Sequence, residues 1–133
     1  MAVALTISTK ELERQAKLVF EGKAYKLFLA ANSGGLTAES TAAAWEAVEV
    51  SGGGYSAATG TLAAGAYSAG NARYELPTIN ATFTATGGGF NYNTICLRIG
   101  TELYLHSITT ETPSITLSAG QSKSYTITLA QDD

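Results

Sequence analysis

Apolar and polar residues alternate in several segments of the chain. Between residues 79 and 86, Ile79, Ala81, Phe83 and Ala85 are apolar, and each is followed by Asn or Thr. This period of two predicts a strand with one buried face. The same alternation returns over residues 95–99, 115–118 and 125–129. We therefore predict roughly eight or nine strands.

One helix is predicted ahead of the strands, over residues 8–21. Ser8 is a suitable N-cap, and Glu11 follows three residues later, as in a capping box. Leu12, Ala16, Val19 and Phe20 lie on one face at helical spacing, and Gly22 is placed to end the helix.

Several segments between the predicted strands carry local signals. Residues 24–31 are apolar on both faces, which predicts a central, well-covered strand. Residues 37–47 predict a short helical turn with Ser40 as N-cap and Trp45 in the core. Gly100-Thr101 predicts a two-residue hairpin turn, and Pro113 the start of a further strand.

The predicted fold is mainly β, an antiparallel β-sandwich or jelly-roll-like barrel with one N-terminal α-helix. A chain of 133 residues fits one domain, so we predict a single β-rich domain over 1–133, with the helix at 8–21 and the sandwich over 24–131.

Charged residues are few, and the basic ones form no cluster of the kind that binds a polyanion. Charged residues make up 14% of the chain and the net charge is −3, so the surface must be covered by small and neutral side chains, as in proteins that pack into assemblies. Five of the eight basic residues fall in the first 26 positions, interleaved with glutamates. This pattern is typical of a solvated helix face, and we predict no nucleic-acid partner.

Targeting signals are not evident. The N-terminus has no charged segment followed by a long apolar run, and no apolar run approaches the length of a membrane span. We therefore expect a protein made in a cytoplasm, with no signal peptide and no membrane partner, that stays there or leaves inside a larger assembly. The single cysteine, Cys96, excludes an intrachain disulfide and a thiolate metal site.

The chain has few of the side chains that commonly act in catalysis. His106 is the only histidine, and aspartate occurs only at positions 132 and 133. We predict no enzyme activity, no metal and no cofactor. The positions of Arg98 and Glu102 predict a surface ion pair. Gly52-Gly53-Gly54 predicts positive φ and close backbone approach rather than a phosphate loop, because such a loop needs Gly-Lys-Ser/Thr and no lysine lies between Lys26 and Lys123.

The tyrosines leave one binding function open. Several of them would stack on sugar rings if they shared an exposed face, and otherwise they fill strand edges and subunit interfaces. These tyrosines are Tyr55, Tyr67, Tyr74, Tyr92, Tyr104 and Tyr125.

The order of motifs resembles a loose family of virion proteins. The matching segments are ELERQAKLVF, KLFLAANSG, AWEAVEVSGGGY, ELPTINATFTATGGGFNYNTICLRIG and LHSITTETPSITLSAGQSKSYTITL, with EVSGGGY and ITLSAGQSKSYTITL the most telling. In this order the chain resembles small tail-fibre, fibre-adaptor or head-decoration proteins of tailed bacteriophages.

The resemblance implies a non-enzymatic structural subunit of a virion that acts through protein–protein contacts as a tail- or fibre-associated protein. The alternatives are a capsid decoration (cement) protein and a carbohydrate-binding receptor module. The expected partners are other virion proteins and further copies of the chain, with a trimer plausible. The candidate interface residues are Leu12, Val19, Phe20, Tyr55, Tyr74, Tyr104 and Tyr125.

Overall fold

The chain is mainly β, with strands over 44% of its residues and helices over 12%. The computed structural model describes residues 8–68 and 73–132. In chain order the elements are α1 (Thr9–Val19), β1 (Ala24–Ala30), α2 (Ala42–Glu46), β2 (Ala58–Thr61), β3 (Ala66–Ser68), β4 (Arg73–Glu75), β5 (Ile79–Thr84), β6 (Phe90–Ile99), β7 (Ser107–Leu117), β8 (Ser122–Ile127) and β9 (Ala130–Asp132). The sheets are antiparallel, which confirms the mainly β, antiparallel prediction with an N-terminal helix.

The chain divides into two compact units. The first comprises residues 1–23, 61–79 and 126–133, and the second comprises residues 24–60 and 80–125. The single domain over 1–133 stays a prediction.

The first unit combines α1 with a three-stranded sheet in the order β3-β4-β9. Helix α1 begins after Ser8, whose hydroxyl accepts a hydrogen bond from Glu11 N at 3.1 Å, as the capping pattern predicts. The helix ends at Val19, two residues before the predicted end. Gly22 follows with φ +76°, the left-handed conformation expected there.

The second unit is built on a four-stranded sheet in the order β2-β1-β6-β7. Strands β1 and β6 pair from Tyr25↔Ile99 to Ala30↔Thr94. Residues 27–30 are all fully buried, so the covered central strand predicted over 24–31 is confirmed. A β-bulge interrupts the β6–β7 ladder between Tyr92 and Thr94.

One hydrophobic cluster of the second unit lies around Trp45. The tryptophan is fully buried, as predicted, and its Nε1 donates to Thr37 O at 3.0 Å. The cluster comprises Phe28, Ala30, Ala42, Trp45, Cys96 and Leu105. The N-cap of α2 is Thr41 rather than Ser40, because the Thr41 hydroxyl accepts from Ala44 N while the Ser40 hydroxyl accepts from Thr37 N.

Two predicted connections are wrong. Residues 100–106 form a seven-residue loop in place of the two-residue turn at Gly100-Thr101, because the chain first bonds to α2 before β7 begins at Ser107. Strand β7 also runs through Pro113 instead of starting there. A proline is tolerated at this point because β7 is an edge strand, where a missing N–H removes no second ladder.

Candidate functional site

The loop over residues 100–106, which joins β6 to β7, presents the largest apolar side chains exposed in the described part of the second unit. Leu103 is 62% exposed and Tyr104 is 52% exposed. The next residue, Leu105, is buried in the cluster around Trp45. The loop therefore places one side chain in the core and its two predecessors in solvent.

Main-chain hydrogen bonds fix this loop at several points. Ala42 N donates to Leu103 O at 2.8 Å, and Tyr104 forms an antiparallel bridge with Thr41. His106 N donates to Leu97 O at 2.8 Å. The exposed pair is thus carried on an ordered backbone, and little conformational entropy remains to be lost when a partner binds.

A network of charged side chains is hydrogen-bonded to the same loop through Arg98. Arg98 Nη1 bonds Glu46 Oε1 at 3.1 Å, and Arg98 Nη2 donates to Glu102 O at 3.2 Å. The predicted Arg98–Glu102 ion pair is therefore corrected: the carboxylate partner is Glu46, and Glu102 contributes its main-chain carbonyl. Arg98 ties the end of α2 to the loop beside Leu103.

The network extends to a second pair of charges. Lys26 Nζ lies 2.8 Å from Glu49 Oε1 and 3.6 Å from Glu46 Oε1. With Arg98, the cluster holds two cations and two carboxylates and is neutral as a set. These side chains are between 19% and 31% exposed, so solvent screens them less than a fully exposed pair.

Tyr55 joins this network to the interior. Its hydroxyl donates to Glu49 Oε2 at 2.7 Å and accepts from Leu29 N at 3.1 Å. Burial, and then the Glu49 hydrogen bond, raise the pKa of the Tyr55 phenol well above its usual range. The ring packs against Phe83 and Phe90, with centroids 6.1 and 5.6 Å away.

Tyr125 also faces inward. Its ring lies 6.2 Å from Phe83, and its hydroxyl is 2.5 Å from that of Tyr92. Burial raises the pKa of Tyr125. Tyr55 and Tyr125 therefore line an internal ring cluster in place of a shared exposed face.

The seven predicted interface residues are distributed unevenly. Val19 and Tyr104 are exposed, at 47% and 52%. Phe20 is buried, and Tyr55 and Tyr125 are half-buried. The side chains of Leu12 and Tyr74 lie outside the described part of the chain. An interface role for these residues stays a prediction.

Sequence reasoning missed two exposed apolar residues, Leu18 on α1 and Leu103. Leu18 lies off the helical stripe that includes Val19 and Phe20, which was a usable signal. Leu103 falls in a predicted strand, but β7 begins four residues later, so the exposure of Leu103 depends on the course of the loop.

The pKa values of Cys96 and His106 are also shifted. Burial raises the pKa of the Cys96 thiol to about 12, and the Glu49 carboxylate adds to the effect. Partial desolvation lowers the pKa of His106 below its usual value. Within residues 8–68 and 73–132, no group of three or more His, Cys, Asp or Glu side chains is arranged to hold a metal ion.

No helix in the described ranges combines the length and apolarity needed to cross a bilayer. Comparisons with protein-family models, curated proteins and solved structures find no match to this chain.

Proposed function

We propose that the protein is a non-enzymatic structural subunit of a bacteriophage virion, associated with the tail or its fibres and assembled through protein–protein contacts. The observation that carries the proposal is the exposed Leu103–Tyr104 pair on an ordered loop. The finer fold, a β-sandwich or jelly-roll-like barrel, is part of the same proposal, as is location in the virion.

The chemistry of the loop favours a protein as partner. Tyrosine is enriched at the cores of protein interfaces, and large apolar side chains on a pre-ordered backbone act as anchors that fill a partner's pocket. The neighbouring charges of Lys26, Arg98, Glu46 and Glu49 neutralise one another, so an apolar anchor rather than net charge dominates this patch.

The proposed partners are further copies of the chain, as a homo-oligomer such as a trimer, and neighbouring virion subunits. Strand β7, an edge of its sheet with eleven residues, adds a second route to association by strand pairing. Stable interfaces bury on the order of 1,200–2,000 Å², so the loop would form the centre of a larger contact.

The decoration-protein alternative shares this contact chemistry and differs in copy number. Among the candidate tyrosines whose side chains the structure describes, the carbohydrate-receptor alternative rests on Tyr104, because Tyr92 is buried and Tyr55 and Tyr125 face inward. A single exposed ring is a weak platform for a sugar, so these described tyrosines favour the contact role.

The test is to count this chain in purified phage particles by quantitative mass spectrometry, for the wild type and for Leu103→Ser/Tyr104→Ser. We expect a few to tens of copies per particle, and loss of incorporation in the double variant. Lys123→Ser, at an exposed position of β8 outside the loop and outside β7, is the control and should be incorporated normally.

Hundreds of copies per particle would identify a decoration protein instead. Absence of the chain from particles would contradict the virion role. Light scattering of the purified chain separates the partners: an oligomer that the double variant dissociates means self-association through the loop, and a monomer means that a different virion protein occupies it.

A further inference from the structure

The second unit also has an open pocket with an uncharged lining, on the side of the sheet where β1 ends. It has a volume of about 230 Å³. Residues 31–33, which follow β1, form one wall; residues 91–93 of β6 and Ser114 of β7 form the other. The loop that carries Leu103 and Tyr104 contributes no residue to it.

Two asparagines hold the walls together. Asn32 N donates to Asn93 Oδ1 at 2.8 Å, and Asn93 Nδ2 donates back to Asn32 O at 2.6 Å. The Asn32 amide also donates to Leu36 O at 2.9 Å and accepts from Gly34 N at 3.0 Å. Asn93 directly precedes Thr94, the partner of Ala30 at the end of the β1–β6 ladder, so it lies beside the residues that follow β1. The pocket is thus built by specific bonds between segments 61 residues apart.

The lining is uncharged and combines apolar surface with a few polar side chains. The side chains of Asn91, Ser33 and Ser114 are exposed within the lining, and an amide with two hydroxyls offers both donors and acceptors. Tyr92 lines the pocket but offers no hydrogen-bonding group to a ligand, because its side chain is 1% exposed and its hydroxyl is bonded to that of Tyr125. Asp, Glu, Lys, Arg and His are all missing from the lining residues.

We propose that this pocket binds one ring of a neutral saccharide. A sugar carries adjacent hydroxyls that each donate and accept, which matches an amide flanked by serine hydroxyls. A phosphate or carboxylate ligand would lack a cation, and a metal ion would lack a carboxylate. The volume is below the ~300–1,000 Å³ of pockets for drug-sized ligands, which fits a single ring better than an extended peptide.

The inference does not depend on a virion role, since sugar binding and incorporation into particles are measured separately. The test uses the full chain labelled with ¹⁵N, titrated by NMR with glucose, galactose, mannose and N-acetylglucosamine, and with N-acetyl-glycinamide as a peptide probe. We expect shifts confined to residues 31–33, 91–93 and 114 with at least one sugar, at a dissociation constant on the order of 1 mM.

Asn91→Ala should weaken this binding by about tenfold or more, as loss of a hydrogen-bonding side chain does. Asn80→Ala, the same change at an exposed strand position outside the pocket, should leave it unaltered. Ser114→Ala gives a second, independent loss if Asn91→Ala perturbs the spectrum of the free protein.

Three results would overturn the proposal. They are the absence of shifts with every sugar, binding of the peptide probe but no sugar, and sugar binding that both Asn91→Ala and Ser114→Ala leave intact.

Discussion

Large side chains face inward at the start of β6 and are exposed to solvent just beyond its end. At the start of the strand, Phe90 and Tyr92 join rings from Tyr55, Phe83 and Tyr125 in an internal cluster. Beyond its end, the chain enters the loop over residues 100–106 and places Leu103 and Tyr104 in solvent. One strand thus leads from an inward-facing aromatic cluster to an outward-facing apolar pair.

The comparison shows that Tyr104 is exposed because of its place in the loop, since other tyrosines of the same unit face inward. In the ring cluster the tyrosine hydroxyls find partners inside: Tyr92 with Tyr125 at 2.5 Å, and Tyr55 with Glu49 at 2.7 Å. The second unit can therefore accommodate an inward-facing tyrosine and provide a partner for its hydroxyl. Tyr104 instead stays exposed on a backbone that is hydrogen-bonded to the core, as an anchor for a partner requires.

The ring cluster is where substitution should have its largest effect on stability. Phe83 is 2% exposed and contacts both Tyr55 and Tyr125. We expect Phe83→Ala to lower the free energy of unfolding by about 3–5 kcal/mol, through lost burial and a residual cavity. Urea denaturation measures this. Asn80→Ala, at an exposed position of the same strand, is the control. A loss under ~1 kcal/mol for Phe83→Ala would mean that the Phe83 side chain is not part of the core.

Close backbone packing beside the ring cluster gives the next effect. Gly53 has φ +59°, and a Cβ there would overlap the carbonyl group of Gly89. We expect Gly53→Ala to cost about 2–4 kcal/mol in urea denaturation, from left-handed strain and the forced displacement of backbone.

Two other glycines separate these causes. Gly52 has φ +77°, but a Cβ added there would meet no atom within 4 Å, so Gly52→Ala should cost only the strain, about 1–2 kcal/mol. Gly88 has neither feature, and Gly88→Ala should change stability by less than ~0.5 kcal/mol. Equal losses at residues 53 and 52 would mean that the contact with Gly89 contributes nothing.

The cluster around Trp45, at the other end of β6, can be probed by pH. Cys96 is fully buried, and its thiol pKa is raised from 9.0 to about 12. The unfolded chain therefore loses this proton first as pH rises, and stability falls above pH 9 by at most about 1.4 kcal/mol per pH unit.

Urea denaturation between about pH 7.5 and 10 measures this loss. Cys96→Ala should show a flatter profile over that range, whatever its stability at neutral pH. Parallel profiles for the wild type and the variant would show that the thiol ionises equally in both states. Keeping below about pH 10 limits the contribution of Tyr55 and Tyr92, whose pKa values are also raised.

Local pattern was sufficient for the parts of the fold that local pattern specifies. The alternation over residues 79–85 predicted the faces of β5, where Ile79, Ala81 and Phe83 are buried and the residues between them are exposed. The apolar run in β1 predicted a strand covered on both sides. Ser8 and Gly22 predicted the ends of α1 to within two residues.

The functional surfaces could not be predicted in this way, because they depend on contacts between distant segments. Gly100 does adopt positive φ, but the hairpin is opened by the bond from Ala42 to Leu103. The pocket needs the hydrogen bonds between Asn93 and Asn32, and neither residue carries a local signal for the other.

The smallest expected effect on stability is at the loop itself. Leu103 and Tyr104 are more than half exposed, so Leu103→Ala and Tyr104→Ala should each lower the free energy of unfolding by less than ~1 kcal/mol. Leu105→Ala is the matched control two residues on, where a side chain in the Trp45 cluster is lost and about 2 kcal/mol or more should follow. If Leu103→Ala were as costly as Leu105→Ala, its side chain would be contributing to the fold of the isolated chain, and its exposure would no longer argue for a partner. A negligible cost combined with loss of assembly would assign this pair to binding, because folding and association would then depend on different residues of one loop.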